Sequence, residues 1–246
     1  MAKHLGIDIG GTNIACGVVN EECEIIARSK VKTNSPRPYS EIFADIIRAA
    51  ELACAEAGIT PQQLDSIGIG CPGTCNQATG VVEYSNNLGF VNAPLRTDIE
   101  AKFGVPTYLG NDADAAAYGE YCAGAAKGAD SAVVITLGTG VGSGIIIDGK
   151  IYSGSNFAGG EIGHTVIVVD GRPCTCGRRG CFEAYSSATG LVNTTLEFAG
   201  KYPESLMAKM IKQDGRASAR TAYQAIRFRR RPCTCCRRPA RRGCRS

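Results

Sequence analysis

His164, Cys174, Cys176 and Cys181 form a His-x9-Cys-x-Cys-x4-Cys set on one short stretch of the chain. Zn²⁺ takes four nitrogen or sulfur ligands in a tetrahedron, and a full set of four marks a structural site. Glu161 and Glu183 bracket the set. The knot is therefore expected to shape a polar pocket, with the two carboxylates accepting from ligand hydroxyls. His164 is expected to ligate through one ring nitrogen and to donate from the other to a bound hydroxyl. The bland alternative is three buried thiols, an unrelated histidine and two solvated acids.

Two glycine corners suit phosphate. In Asp8-Ile-Gly10-Gly11-Thr12-Asn13 the glycines let backbone N–H groups approach an anion, and the Thr12 hydroxyl adds a donor. Asp8 is placed to hold Mg²⁺ through water. A hairpin corner that needs glycine only for its dihedrals would read the same. Gly138-Thr139-Gly140-Val-Gly-Ser-Gly144 is a second such turn. A strand pattern follows it, so it is not the strand-to-helix dinucleotide fingerprint. Two corners of this kind suggest a nucleotide clamped between lobes. Asn111 and Asp112 stand where a strand gives way to a helix. They suit a helix N-cap, and equally a hydroxyl binder followed by a general base.

The elements that must position these residues follow from periodicity. Leu5, Ile7 and Ile9 alternate as a strand, Ile14–Val19 returns as a second, and Ile25–Val31 as a third. Ser40–Ala57 carries apolar residues at helical spacing. Ser66–Gly70 and Thr107–Leu109 read as strands, and Leu95–Phe103 and Asp112–Ala126 as helices. The pattern then restarts with strand Ala132–Leu137, a turn over Gly138–Gly144 and strand Ile145–Ile147. Asp148-Gly149 is a hairpin signal. Glu183–Phe198 and Pro203–Ile211 read as helices.

Composition is that of an ordinary globular chain, 246 residues with 44% hydrophobic and 20% charged. No apolar run reaches a membrane span, and the first residues enter a strand without a signal-peptide core. A cytoplasmic protein is expected. The 13 cysteines then read as reduced thiols and a metal site, not a disulfide framework. Residues 217–246 hold ten Arg and no acid, which leaves 17 basic against 23 acidic residues before them. The main body is therefore mildly acidic, and the net +4 is no argument for nucleic acid.

Together these motifs resemble the ROK family of sugar kinases and sugar-responsive repressors, within the actin-like ATPase superfamily. The resemblance covers about residues 4–225. It rests on Asp8-Ile-Gly-Gly-Thr, Gly70-Cys-Pro-Gly73, Gly110-Asn-Asp112 with Gly119-Glu120, Leu137-Gly-Thr-Gly-Val-Gly142, and Glu161, His164, Cys174, Cys176, Cys181 and Glu183. It implies an α/β, two-lobed actin-like (ribonuclease H-like) fold with mixed sheets and an incomplete second lobe. It also implies ATP·Mg²⁺-dependent phosphorylation of glucose at its 6-hydroxyl, with a structural Zn²⁺. Asp112 would accept the hydroxyl proton. Gly73, Asn111, Glu161, His164 and Glu183 would hold the sugar. Gly10, Gly11, Thr12, Gly138, Thr139 and Gly140 would line the phosphates, with Asp8 supporting the metal.

The lobes are expected at 1–115 and 116–226, followed by a disordered Arg/Cys-rich tail at 227–246. The tail reads as an out-of-frame or truncated ending in preference to a functional basic arm. Family members continue past this point with an adenosine site and a long helix. A kinase for N-acetylmannosamine, mannose or fructose and an inactive sugar-binding remnant are the rival readings. A repressor would need an N-terminal helix-turn-helix, for which the early strand leaves no room. The resemblance suggests a homo-oligomer, without nucleic-acid or membrane partners.

Overall fold

The computed structural model describes residues 2–230. Its first three strands are β1 (His4–Ile9), β2 (Asn13–Val19) and β3 (Ile25–Lys32), followed by helix α1 (Tyr39–Glu56) and strand β4 (Ser66–Cys71). Then come β5 (Thr74–Asn76), β6 (Val81–Ser85), β7 (Phe90–Ala93), α2 (Leu95–Phe103), β8 (Thr107–Asn111) and α3 (Asp112–Ala123). A third group of strands is β9 (Ala132–Leu137), β10 (Val141–Ile147) and β11 (Lys150–Ile151). Helices α4 (Glu183–Ser186), α5 (Ala188–Lys201), α6 (Leu206–Asp214) and α7 (Ala219–Arg230) complete the described chain.

β1, β2 and β3 form an antiparallel meander, and β4 and β8 extend it in parallel, giving the mixed order β3-β2-β1-β4-β8. Leu5, Ile7 and Ile9 alternate inward on β1, as do Ile14, Cys16 and Val18 on β2. They meet Ile42, Ile46, Ala50 and Ala53 of α1 in the main core. The small residues on α1 let the helix lie close, and the Ser29 hydroxyl donates to Ala49 O at 2.6 Å.

The chain forms two compact units. Among the described residues, one comprises 2–136 and 142–162, the other 137–141 and 163–230. The boundary expected at 115/116 falls inside α3, a single hydrogen-bonded helix, and the compact units divide the chain elsewhere.

Several elements differ from their periodicity. β5, β6 and β7 form a small antiparallel sheet that the sequence pattern does not announce, because the strands are short and separated by glycine turns at Gly80 and Gly89. β10 starts at Val141, inside the stretch expected to be a turn. Its glycines serve packing: a Cβ on Gly142 would stand 2.9 Å from Ala113 Cβ, and one on Gly144 would overlap Ala117 Cβ. α3 stops at Ala123 and not Ala126. The helix expected over Glu183–Phe198 breaks at Ser187, whose hydroxyl caps α5 by accepting Gly190 N at 3.0 Å. The helix expected from Pro203 begins at Leu206, capped by Ser205, and runs to Asp214. Asp148 and Gly149 both take positive φ, 49° and 75°, as a two-residue hairpin demands.

The first four residues of the tail expected to be disordered, 227–230, are helical in α7, where arginine is a good helix former. The rest of that tail, with Cys233, Cys235 and Cys236, lies outside the described residues. Among the described residues no helix is long and apolar enough to cross a membrane. The nine cysteines among them are all free thiols.

Candidate functional site

The first compact unit gathers Asp8, the Gly10–Thr12 corner, Gly73, Asn111, Asp112 and Glu161. β1 and β4 are paired in parallel with Asp8 opposite Gly70. A Cβ on Gly70 would lie 3.4 Å from Asp112 Cα, so glycine lets the head of α3 settle against β4. Asp112 is exposed at its end of the cleft. Loss of water on its protein side raises its pKa above the ordinary Asp value, although its bond to the Ala113 amide pulls the other way. Burial and the Asp112 charge raise Asp8 in the same sense. Two carboxylates strained by proximity suit a divalent cation, whose hard, oxygen-seeking charge would relieve both.

The cap reading of Asn111 is realised in its geometry. Its Oδ1 caps α3, accepting Ala113 N at 2.8 Å and Asp114 N at 3.3 Å. Its Nδ2 donates to Gly73 O at 3.1 Å. Gly73 has φ +108°, and a Cβ there would overlap Tyr84 O, so only glycine permits this close turn. The Gly10–Thr12 corner is braced by Thr33, whose hydroxyl donates to Gly10 O at 2.6 Å and whose amide donates to Thr12 O at 3.0 Å. Asp8, Gln77, Arg96, Tyr108, Asp112 and Asp114 are among the residues lining a cleft of about 1110 Å³ within this unit.

Asp114, Ser143 and Ser153 carry no sequence signal for a site. Asp114 is 7% exposed. Burial, then the charge of Glu161, push its pKa up to about 6, against a hydrogen bond from Ser153. The only hint in the sequence is an acid in the first turn of a helix, which the helix dipole explains without a site. Ser143 is equally buried, and its hydroxyl engages the backbone on both sides of Glu161.

The second unit holds His164, Cys174, Cys176, Cys181, Glu183 and the Gly138–Gly140 turn. The four ligand atoms lie within 4.8 Å of one another. Cys176 and Cys181 sulfurs are 3.7 Å apart, and Cys174 Sγ is 3.6 Å from His164 Nδ1. Ligands about 2.3 Å from a tetrahedral zinc stand about 3.8 Å apart, so this set fits the ion. It directs Nδ1 of His164 at the cluster and leaves Nε2 for another partner. Desolvation opposes ionisation of Cys176, but hydrogen bonds from Arg178 backbone and side chain and from the neighbouring thiols bring it down to about 6. Burial first, then the same shared thiols, hold Cys181 up at about 11. The turn is closed by Cys174 N to Arg178 O at 2.9 Å and Gly177 N to Cys174 O at 3.0 Å.

Glu183, expected to accept from a ligand hydroxyl, also holds partners within the protein. Its Oε2 accepts Val141 N at 2.9 Å, while Oε1 faces Thr175 Oγ1 at 3.3 Å and Cys174 Sγ at 3.7 Å. Both oxygens are engaged, tying the glycine turn to the cysteine loop. That turn is further fixed by Gly138 N to Gly140 O at 3.0 Å, Ala188 N to Gly138 O at 2.9 Å and Thr189 Oγ1 to Thr139 O at 2.9 Å.

A family model described as the ROK family matches residues 4–231. The chain belongs to the ROK family. It is 37% identical over 216 residues to a glucokinase of Streptomyces coelicolor, covering 87% of this chain and 66% of that relative. A glucokinase of Halalkalibacterium halodurans is 35% identical over 223 residues, covering 90% of this chain and 68% of the relative. The chain thus spans about two thirds of the length of these relatives, 66% and 68%. Among solved structures, a ROK family glucokinase from Streptomyces griseus in complex with glucose and AMPPNP superposes with a TM-score of 0.78 at 36% identity. That match covers 92% of this chain and 72% of the other. The mixed β3-β2-β1-β4-β8 sheet is accordingly that of the actin-like ATPase fold of ROK glucokinases.

Proposed function

We propose that this chain binds glucose and ATP·Mg²⁺ and that its reaction is phosphorylation of the sugar's 6-hydroxyl. The observation that carries the reading is Asp112, an exposed carboxylate at the head of α3 with its water partly stripped and its backbone fixed by the Asn111 cap. A carboxylate held this way accepts the proton of an attacking hydroxyl as the new O–P bond forms. Asn111, the Gly73 turn and Glu161 orient the sugar in the same unit. His164 offers its Nε2 to a sugar hydroxyl, and Glu183 acts by holding the Gly138–Gly140 turn.

When bound, ATP·Mg²⁺ supplies the phosphoryl group and neutralises the charge that develops on it. Asp8 would hold the metal, with Gly10, Gly11 and Thr12 on one phosphate turn and Gly138, Thr139 and Gly140 on the other. The four-residue His/Cys set would hold Zn²⁺ as a structural ion. Phosphoryl transfer needs chiefly positioning and charge stabilisation, which backbone amides and fixed carboxylates provide.

The test is glucose-dependent ATP consumption by the purified chain beside Asp112→Asn. Turnover in the parent and its loss in the variant are expected. Glucose binding without turnover in either would leave a sugar-binding module. Turnover of another hexose in preference to glucose would reassign the substrate.

A further inference from the structure

Glu161 stands at the end of a loop, residues 153–162, that has almost no regular secondary structure. The loop closes on itself through Gly159 N to Ser153 O at 2.8 Å, with Gly154 and Gly160 at φ +69° and +80°. Closure alone does not fix where such a loop sits. Two buried side chains from elsewhere in the same unit do so.

At one end is Ser143 on β10, 6% exposed. Its hydroxyl donates to the Gly160 carbonyl and accepts Ile162 N at 3.0 Å. These are the residues on either side of Glu161. An alanine would fill nearly the same space; what the hydroxyl adds is two bonds to the backbone that carries Glu161. At the other end the Ser153 hydroxyl accepts Gln77 Nε2 at 3.4 Å, and the buried Asp114 carboxyl lies close enough to that hydroxyl for it to lower the Asp114 pKa. Asp114 lies in the first turn of α3, two positions after Asp112. Its carboxyl feels the charges of both Glu161 and Asp112, so it stands within electrostatic reach of each.

We propose that Ser143 and Asp114 are positioning residues that fasten the Glu161 loop at its two ends and set where Glu161 stands relative to Asp112. The consequence for sugar binding rests on the kinase reading above; the fastening itself does not. A loop released at one end keeps its fold but samples more positions. Glu161 would then meet a sugar hydroxyl at an added entropic cost, which weakens sugar binding more than it slows the chemical step.

The experiment compares the parent with Ser143→Ala, Asp114→Ala and Asp114→Asn. Hydrogen exchange is read on peptides covering residues 154–162, with β1 and β4 peptides as the control for global folding. Exchange in the loop is expected to rise about tenfold in both alanine variants with the strand controls unchanged. Asp114→Asn keeps an acceptor for Ser153 and should stay close to the parent. Unchanged loop exchange in both alanine variants would overturn the proposal whether or not the chain is a kinase. With glucose, KM should rise about fivefold or more while kcat stays within about twofold. A fall in kcat at constant KM would instead indicate a smaller folded fraction and overturn the positioning role. A parent that turns over no sugar would defeat the kinase reading, and the exchange data would still decide the fastening.

Discussion

Asn111 Oδ1 accepts the amide of Ala113 at 2.8 Å, so the residue that caps α3 is the immediate neighbour of the carboxylate proposed to take the proton. The cap sets the φ and ψ from which Asp112 projects, so the proposed chemistry would depend on it. Asn111→Ala removes that acceptor and the donor to Gly73 O. Loss of an N-cap costs about 1 kcal/mol, and urea unfolding should show a loss of this order. Asn111→Asp keeps the cap and should recover most of the stability. It cannot donate to Gly73, and it adds charge beside Asp112, so glucose KM should remain raised. Equal stability in parent and Asn111→Ala would show that the cap contributes nothing.

The residues whose types announce chemistry were legible in the sequence: the cysteine and histidine spacing, the two glycine corners, and Asn-Asp at a strand-to-helix junction. Each depends on local composition, as do β1, β2, α1 and α2. The residues that hold them were not. The Ser143 hydroxyl bonds backbone at Gly160, 17 positions away, and nothing in a Gly-Ser-Gly triplet points there. Gly142 and Gly144 suggested a turn but serve the close approach of α3, a packing demand that arises only once the chain is folded. Glu183 read as a sugar acceptor because an acid beside a metal knot invites that role. Its further engagement with Val141 N, 42 residues away, is the part that spacing does not announce.

Zinc should be measurable directly. The four-atom cluster predicts one equivalent of Zn²⁺ by elemental analysis of the purified chain. Removal by a strong chelator should lower the melting temperature, because the loop from Thr165 to Cys181 has turns and isolated bridges but no helix or strand of its own. Cys176→Ser should retain less than one equivalent and melt earlier. A chain that contains no zinc when grown with it, and melts identically with and without chelator, would refute the assignment.

Asp114 predicts a pH dependence of stability with a definite sign. Its folded pKa, about 6, lies above the ordinary Asp value of 3.8, so the folded chain holds a proton there that the unfolded chain has released. Its contribution is therefore fully present below about pH 4 and is lost as pH rises to about 6 and beyond. Asp114→Asn cannot ionise and removes this slope. Relative to the parent it should gain about 1–3 kcal/mol at pH 7.5 and almost nothing at pH 4, by the usual 1.4 kcal/mol per pKa unit. Melting curves of the two proteins at both pH values supply the comparison. A difference that does not change with pH would mean that Asp114 titrates normally.

Glu183 predicts a separation between shape and charge. Its Oε2 accepts the Val141 amide, which starts β10 directly after the Gly138–Gly140 turn, and a Cβ on Gly140 would overlap that oxygen. The turn is thus built against the carboxylate. Glu183→Gln keeps an acceptor oxygen in the same place, so it should stay within about 1 kcal/mol of the parent and hold the turn. Glu183→Ala leaves the Val141 amide without its partner and should cost about 1–3 kcal/mol. If the turn cradles phosphate, the alanine variant should also raise the KM for ATP several-fold, while the glutamine variant raises it little. The opposite ranking, with glutamine as damaging as alanine for glucose KM and harmless for ATP, would return Glu183 to the role of a direct sugar ligand that needs its charge.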